Sequence, residues 1–195
     1  MKILVSDDGE TFADVGGLLK LTPEPPSPEG YETLWLRTED LKTHGRFVKV
    51  VVSTAESGEG TYFFTDELEI YRGEEAWVGL PFPAPPKVAN PESPRPDWVN
   101  LASRAEVTLD TEPDDATVAD IDDRKQLVDG ALSPATPLWA DKSAVGWVGG
   151  EMTEFTVDLG KDSPIQGVAL HMAAGQSGVE WPMNIEVYVS EDGAN

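Results

Sequence analysis

Apolar and polar residues alternate with a period of two along much of this chain. In Met152–Leu159, Phe155, Val157 and Leu159 share one face, and Glu154, Thr156 and Asp158 share the other. Ile185, Val187 and Val189 alternate in the same way with Glu186, Tyr188 and Ser190. Ala105/Val107/Leu109, Val168/Leu170/Met172, Leu34/Leu36 and Leu68/Ile70 repeat the pattern, so each predicts a strand with one buried face. Phe47–Val52 is almost wholly apolar and predicts a strand covered on both faces. No stretch of ten residues carries an apolar period of 3.6. Asp7-Asp8-Gly9, Leu159-Gly160-Lys161-Asp162 and Glu191-Asp192-Gly193 supply turn chemistry and predict turns at strand ends. Short strands joined by polar turns predict an all-β fold, an antiparallel β-sandwich.

Seven prolines fall between Pro81 and Pro96. Proline fixes φ and lacks a ladder donor, so this stretch reads as a semi-rigid extended tether over 76–97. Glu24-Pro25-Pro26-Ser27-Pro28 reads as a surface loop. Leu4-Val5-Ser6-Asp7-Asp8-Gly9 repeats in Tyr188-Val189-Ser190-Glu191-Asp192-Gly193, a strand running into an acidic glycine turn in both places. The chain thus reads as beginning midway through one repeat and ending midway through the next.

Charge narrows the classes of function. Among 195 residues, 14 Lys and Arg stand against 36 Asp and Glu, a formal net charge of −22. That excludes the electrostatic footprint of a nucleic-acid binder and leaves no basic patch for an anionic membrane. Six Trp, six Phe and four Tyr are enough for a packed core. The absence of cysteine excludes disulfides, thiolate metal sites and a cysteine nucleophile. No apolar run approaches the ~20 residues of a membrane span. Met1–Val5 opens like a signal peptide, but the apolar stretch stops at Ser6-Asp7-Asp8, so no signal peptide is read here.

Several motifs, taken in order, resemble the discoidin or coagulation factor V/VIII type C family, and within it the family 32 carbohydrate-binding modules. Asn100-Leu101-Ala102 with Ala105-Glu106-Val107 is similar to the opening strand, and Leu127-Val128-Asp129-Gly130 with Trp139 to the "DG…W" loop. Phe155–Gly160 resembles the "DLG" strand and Pro164–Leu170 the strand after it. Ile185–Gly193 resembles the "VSxDG" hairpin. The family's later half then stands at the front of the chain. Val5–Phe12 repeats the hairpin, Gly45–Val50 resembles the "aRYVRI" strand, and Phe64–Tyr71 the closing "DEIEVY" strand. The resemblance therefore implies that 1–75 is the C-terminal half of one module and 98–195 the N-terminal half of the next. Neither half could bury a core alone, so the two are expected to complement into one jelly-roll sandwich, permuted within a chain or strand-exchanged in a homodimer. Lys2–Ser6 and Glu186–Ser190 would then compete for one slot, leaving one copy displaced or paired at an edge.

The same resemblance implies a structural calcium ion between the "DG" loop and the closing strand. Transferred by motif, its carboxylates are Asp129 and Glu67. Backbone oxygens come from around Gln126, Ala131 and Asp66, with a hydroxyl from Ser133 or Thr136. Ala131 departs from the family, which has a polar residue there. The plainer reading makes Asp129 the start of a turn and Glu67 part of a solvated edge.

Sugar recognition needs an aromatic face for a pyranose and fixed polar groups for its hydroxyls. Tyr31, Trp35 and Arg37 are expected on the outward face of one strand, opposite Leu34 and Leu36. Trp147, beside Gly146, and Trp181, before Pro182, are expected in exposed loops, with Trp139 capping the core. His171 alternates outward from Leu170 and Met172, as a hydroxyl partner or a plain surface residue. No His-Glu-x-x-His, Gly-x-Ser-x-Gly or phosphate-loop motif is present, and 36 acids make any chosen carboxylate pair uninformative. The expected function is that of a noncatalytic carbohydrate-binding module, next to other modules of a secreted or cell-surface protein. The rivals are a spacer that binds nothing and part of a glycoside hydrolase or lyase.

Overall fold

A computed structural model describes residues 5–6, 12–17, 30–38, 41–53, 61–81, 97–149, 152–179, 182 and 184–190. The turns expected at 7–9 and 191–193, the proline loop at 24–28, Trp181 and most of the proline tether lie outside these residues. Among the described residues the strands are β1 Val5–Ser6, β2 Ala13–Gly17, β3 Glu32–Thr38, β4 Thr43–Ser53, β5 Tyr62–Arg72, β6 Glu106–Leu109, β7 Val145–Val148, β8 Met152–Ala174 and β9 Asn184–Ser190. A single helical turn, α1, covers Asp123–Gln126.

The all-β antiparallel sandwich expected from the alternation is the fold that forms, and β8 organises it. Its first part, 152–158, lies between β4 and β6, and β4 in turn pairs with β9. Its second part, 163–174, lies between β3 and β5, and β5 continues onto β7. One core cluster joins Val48, Val50, Val157 and Ile185 of the first layer to Leu36, Leu68, Val168 and Leu170 of the second. Trp147 of β7 stacks on Phe155 of β8, with ring centroids 6.2 Å apart. Strands from before and after the proline stretch lie side by side in both layers, β4 between β9 and β8 in the first and β5 between β8 and β7 in the second, and both sets contribute to the one core cluster.

Leu159–Asp162 is not a turn between two strands. It stays inside β8 as an outward bulge, because β4 pairs Gly45 with Ser163 and Phe47 with Asp158 across a register shift. Gly160 turns the backbone there with φ +79°, a conformation that costs glycine nothing. Arg46 donates two 2.8 Å bonds to the Asp158 carboxylate, which holds that carboxyl below its ordinary pKa. Phe47–Val52 is nearly closed to water on both faces, as its composition predicts. Val48, Val50 and Val52 enter the core, and Val51 and Lys49 are buried on the other side.

The repeated motif has a definite place. Val5 pairs with Val189 and Ser6 with Ser190, in parallel, so equivalent positions of the two copies lie side by side. The copy in β9 holds the place against β4, and the copy in β1 ends the strand path at its edge.

Candidate functional site

The outer face of β3, β8 and β5 collects the sequence-derived candidates into two cross-strand rows. One row runs Trp35–His171–Glu67, and the next Arg37–Ala169–Glu69. Opposite them, Leu34, Leu36, Leu170, Met172, Leu68 and Ile70 turn to the core. A β-bulge alters the site. Thr65 pairs with Met172 and Glu67 with His171, so Asp66 is an extra residue, and two consecutive carboxylates fall beside one strand position.

Asp66 is fully buried and joins three elements. Its Oδ1 lies 2.5 Å from His171 Nδ1, and its Oδ2 accepts a 2.7 Å bond from the Ser133 N–H. The His171 ring packs against Trp35 at 5.1 Å between centroids. Tyr31, just ahead of β3, accepts a 3.0 Å bond from the Leu138 N–H and meets Trp139 edge-on. Burial raises the Tyr31 phenol above its ordinary pKa, and the Asp66 charge adds to the rise.

This face is not the open surface expected from alternation. Arg37 is 2% exposed and His171 8%, while Trp35 and Tyr31 are half-buried. The loop at 133–138 comes against it through the Ser133 N–H on Asp66 and the Leu138 N–H on Tyr31, and the Leu68 N–H donating to Leu127 O at 2.7 Å lays the segment ahead of that loop along the edge of β5.

Glu67 lies beneath that segment and is 1% exposed, so the solvated-edge reading does not hold. Its Oε2 accepts a 2.8 Å bond from the Gly130 N–H. Its Oε1 and the Gln126 Oε1 are buried without a hydrogen-bond partner among the described residues. Burial pushes the Glu67 carboxyl up to about 8. The Gly130 bond opposes that shift, and the charges of Asp129, Glu69 and Asp66 reinforce it. Asp129 is exposed, and its Oδ1 accepts from the Ala131 N–H at 2.7 Å, which is turn-forming geometry. Ala131 and Thr136 are exposed as well.

Among the described residues no group of three or more His, Asp or Glu could hold a metal ion. A hard cation here would therefore rest on Glu67 and on uncharged oxygens. Two unpartnered buried oxygens, one of them a carboxylate's, fit that chemistry.

Trp147 is the clearest displacement from expectation. It is 3% exposed, stacks on Phe63 at 5.4 Å and donates from Nε1 to Thr111 O at 2.9 Å. The pairing Phe63↔Trp147 between β5 and β7 turns both rings into the core, so Gly146 and Gly149 do not mark an exposed loop. Trp139 packs with Tyr31 and Phe64 against a second, smaller apolar cluster.

No family model matches the chain, and neither a curated protein nor a solved structure matches it. Among the described residues no helix is long and apolar enough to cross a membrane.

The pairing of Asp66 with His171 escapes a reading of local alternation, although the sequence carries a signal for it. The inward residues of β5 change parity between Phe63 and Leu68, which requires one extra residue between them. Strict alternation from Leu68 would send Asp66 into the core, and the bulge avoids that.

Proposed function

We propose that the chain is a noncatalytic carbohydrate-binding module with jelly-roll, discoidin-like connectivity in permuted order, working beside other modules of a secreted or cell-surface protein. The observation that carries this reading is the half-buried Trp35 ring, backed by His171 and Asp66, with Arg37 on the same face of β3 and Tyr31 just ahead of that strand. An aromatic surface held by a fixed polar pair suits the C–H face of a pyranose and its adjoining hydroxyls. Asp66 keeps His171 oriented, so the ring needs no reordering when a ligand arrives.

A structural calcium ion at the Glu67 loop belongs to the same reading. Glu67 and Gln126 would hold it through side-chain oxygens, with carbonyls of the 126–131 loop. The ion would supply the positive charge that Glu67 lacks. Calcium is expected to raise the melting temperature of the wild type and to leave that of Glu67→Ala unchanged, as thermal unfolding with and without chelator would record.

Glycan-array binding, followed by titration of the best ligand, tests the main reading. Trp35→Ala is expected to weaken binding about tenfold or more, with the circular dichroism spectrum unchanged. A spacer that binds nothing is the second reading, and the burial of Arg37 and His171 favours it. Silence across the array in the presence of calcium would decide for the spacer.

A further inference from the structure

His44 binds three distant parts of the chain together. Its side chain, in β4, is 2% exposed. Nδ1 lies 3.1 Å from Asp162 Oδ1 on the bulge of β8, and Nε2 lies 3.0 Å from the Leu80 carbonyl oxygen. Leu80 belongs to the run that leaves β5 after Arg72 and leads into the proline stretch. The root of that run is fixed, since the Gly73 N–H donates to Pro164 O at 2.8 Å and the Trp77 ring folds back over Gly73. Beyond a 3-10 turn at Glu75–Trp77, the residues Val78, Gly79, Leu80 and Pro81 are all exposed. The His44 bond ties that far end to β4.

Both partners of the ring are acceptors. A backbone carbonyl can only accept a hydrogen bond, and so can an ionised carboxylate. A ring that serves both must donate from both nitrogens, which imidazole does only when it carries its second proton and a positive charge. A neutral ring would keep one bond and turn a bare nitrogen toward the other oxygen, in a place almost closed to water. The elements around His44 carry other charges. Lys42 and Arg46 stand two residues to either side of it, Asp158 and Lys161 lie on β8, and Arg72, Glu74 and Glu75 lie on the run itself. Arg46 is taken up by Asp158 and Arg72 reaches Glu75 at 4.0 Å, while Lys42, Lys161 and Glu74 are exposed. Asp162 is the carboxylate in contact with the ring.

We propose that His44 is a proton-operated clamp on the front of the proline stretch. With both nitrogens protonated, it holds the Leu80 end of the run against the sandwich. Loss of one proton breaks one of the two bonds, and the run from 78 to 81 lifts away. Histidine ordinarily gives up that proton near pH 6.5, so the clamp is set in mildly acidic surroundings and slack in mildly alkaline ones. Release adds the length of that run to the connection between β5 and β6. The proposal does not depend on whether the protein binds a glycan.

The Leu80 amide, which donates to Trp77 O at 3.1 Å, reports the clamp through its hydrogen exchange. Protection is taken relative to an unstructured chain at the same pH. In the wild type it is expected to fall about tenfold or more between about pH 5.5 and about pH 8.5, the scale of one hydrogen bond to a charged group. Asp162→Asn offers an N–H to a bare Nδ1, so a neutral ring can hold both partners. Its protection is expected to stay level across the range. His44→Gln, with nothing to titrate, is expected to show low protection at both ends of the range. The chain has only two histidines, so imidazole nitrogen resonances identify the ring, and at about pH 5.5 both His44 nitrogens are expected to carry protons. A neutral His44 ring there, a wild type whose protection does not fall, or an Asp162→Asn variant that falls as the wild type does overturns the proposal.

Discussion

Replacing Glu67 with glutamine is expected to remove a decline in stability between about pH 4.5 and pH 8. The folded carboxyl keeps its proton up to about 8, while the unfolded chain releases it near the ordinary value of 4.5. Between those values the unfolded state binds fewer protons than the folded one, so rising pH favours unfolding. The cost of burying this carboxylate is thus absent below pH 4.5, grows through the window and is complete above pH 8. At about 1.4 kcal/mol per pKa unit the shift sets an upper bound of about 5 kcal/mol, and relaxation of the loop around the buried charge brings the expected cost to roughly 2–3 kcal/mol.

Glutamine keeps an oxygen for the Gly130 N–H and carries no charge to bury. The variant should therefore match the wild type near pH 4.5 and exceed it by roughly 2 kcal/mol at pH 8.5 without divalent cations. Urea unfolding of both proteins at several pH values, read as a difference, removes the contribution of the other acids. Curves that stay parallel across the window would show that Glu67 is already ionised in the folded protein. Added calcium should close the gap at pH 8.5 from the wild-type side only.

The second large effect is expected at Trp147. Trp147→Ala should cost about 3–5 kcal/mol, the range for deleting a buried aromatic side chain whose space cannot fully collapse. Stacked between Phe63 and Phe155, the ring bridges the two layers, so its loss opens the centre of the sandwich. The Thr111 carbonyl would also lose its Nε1 donor. Denaturant unfolding measures the cost directly. A loss below 1 kcal/mol would instead return Trp147 to the surface position its sequence context suggests.

The difference between Trp147 and Trp35 shows how much a sequence context can decide. Gly146 and Gly149 around Trp147 carry the same signal as an exposed loop, yet Gly146 is needed because Phe64 and Val118 press against its backbone. A glycine that admits a neighbour and a glycine that frees a loop are spelled alike. For Trp35 the alternation with Leu34 and Leu36 assigned the face correctly, since strand geometry leaves two choices. It could not say what lay over that face. The covering loop comes from residues about a hundred positions away and is held by Asp66 and Tyr31.

Local pattern by itself determined the fold class, the main strands and which side of each faces the core. The free energy of burying alternate apolar residues acts over a few residues and needs no knowledge of the partner strand. Tertiary structure alone decided that β8 runs unbroken through both layers, that His171 is the residue set beside Asp66 at the bulge, and that Glu67 loses its water. Those outcomes depend on register between distant segments and on which loop covers which face. Interactions of that kind link residues far apart in the chain, and no local spacing records them.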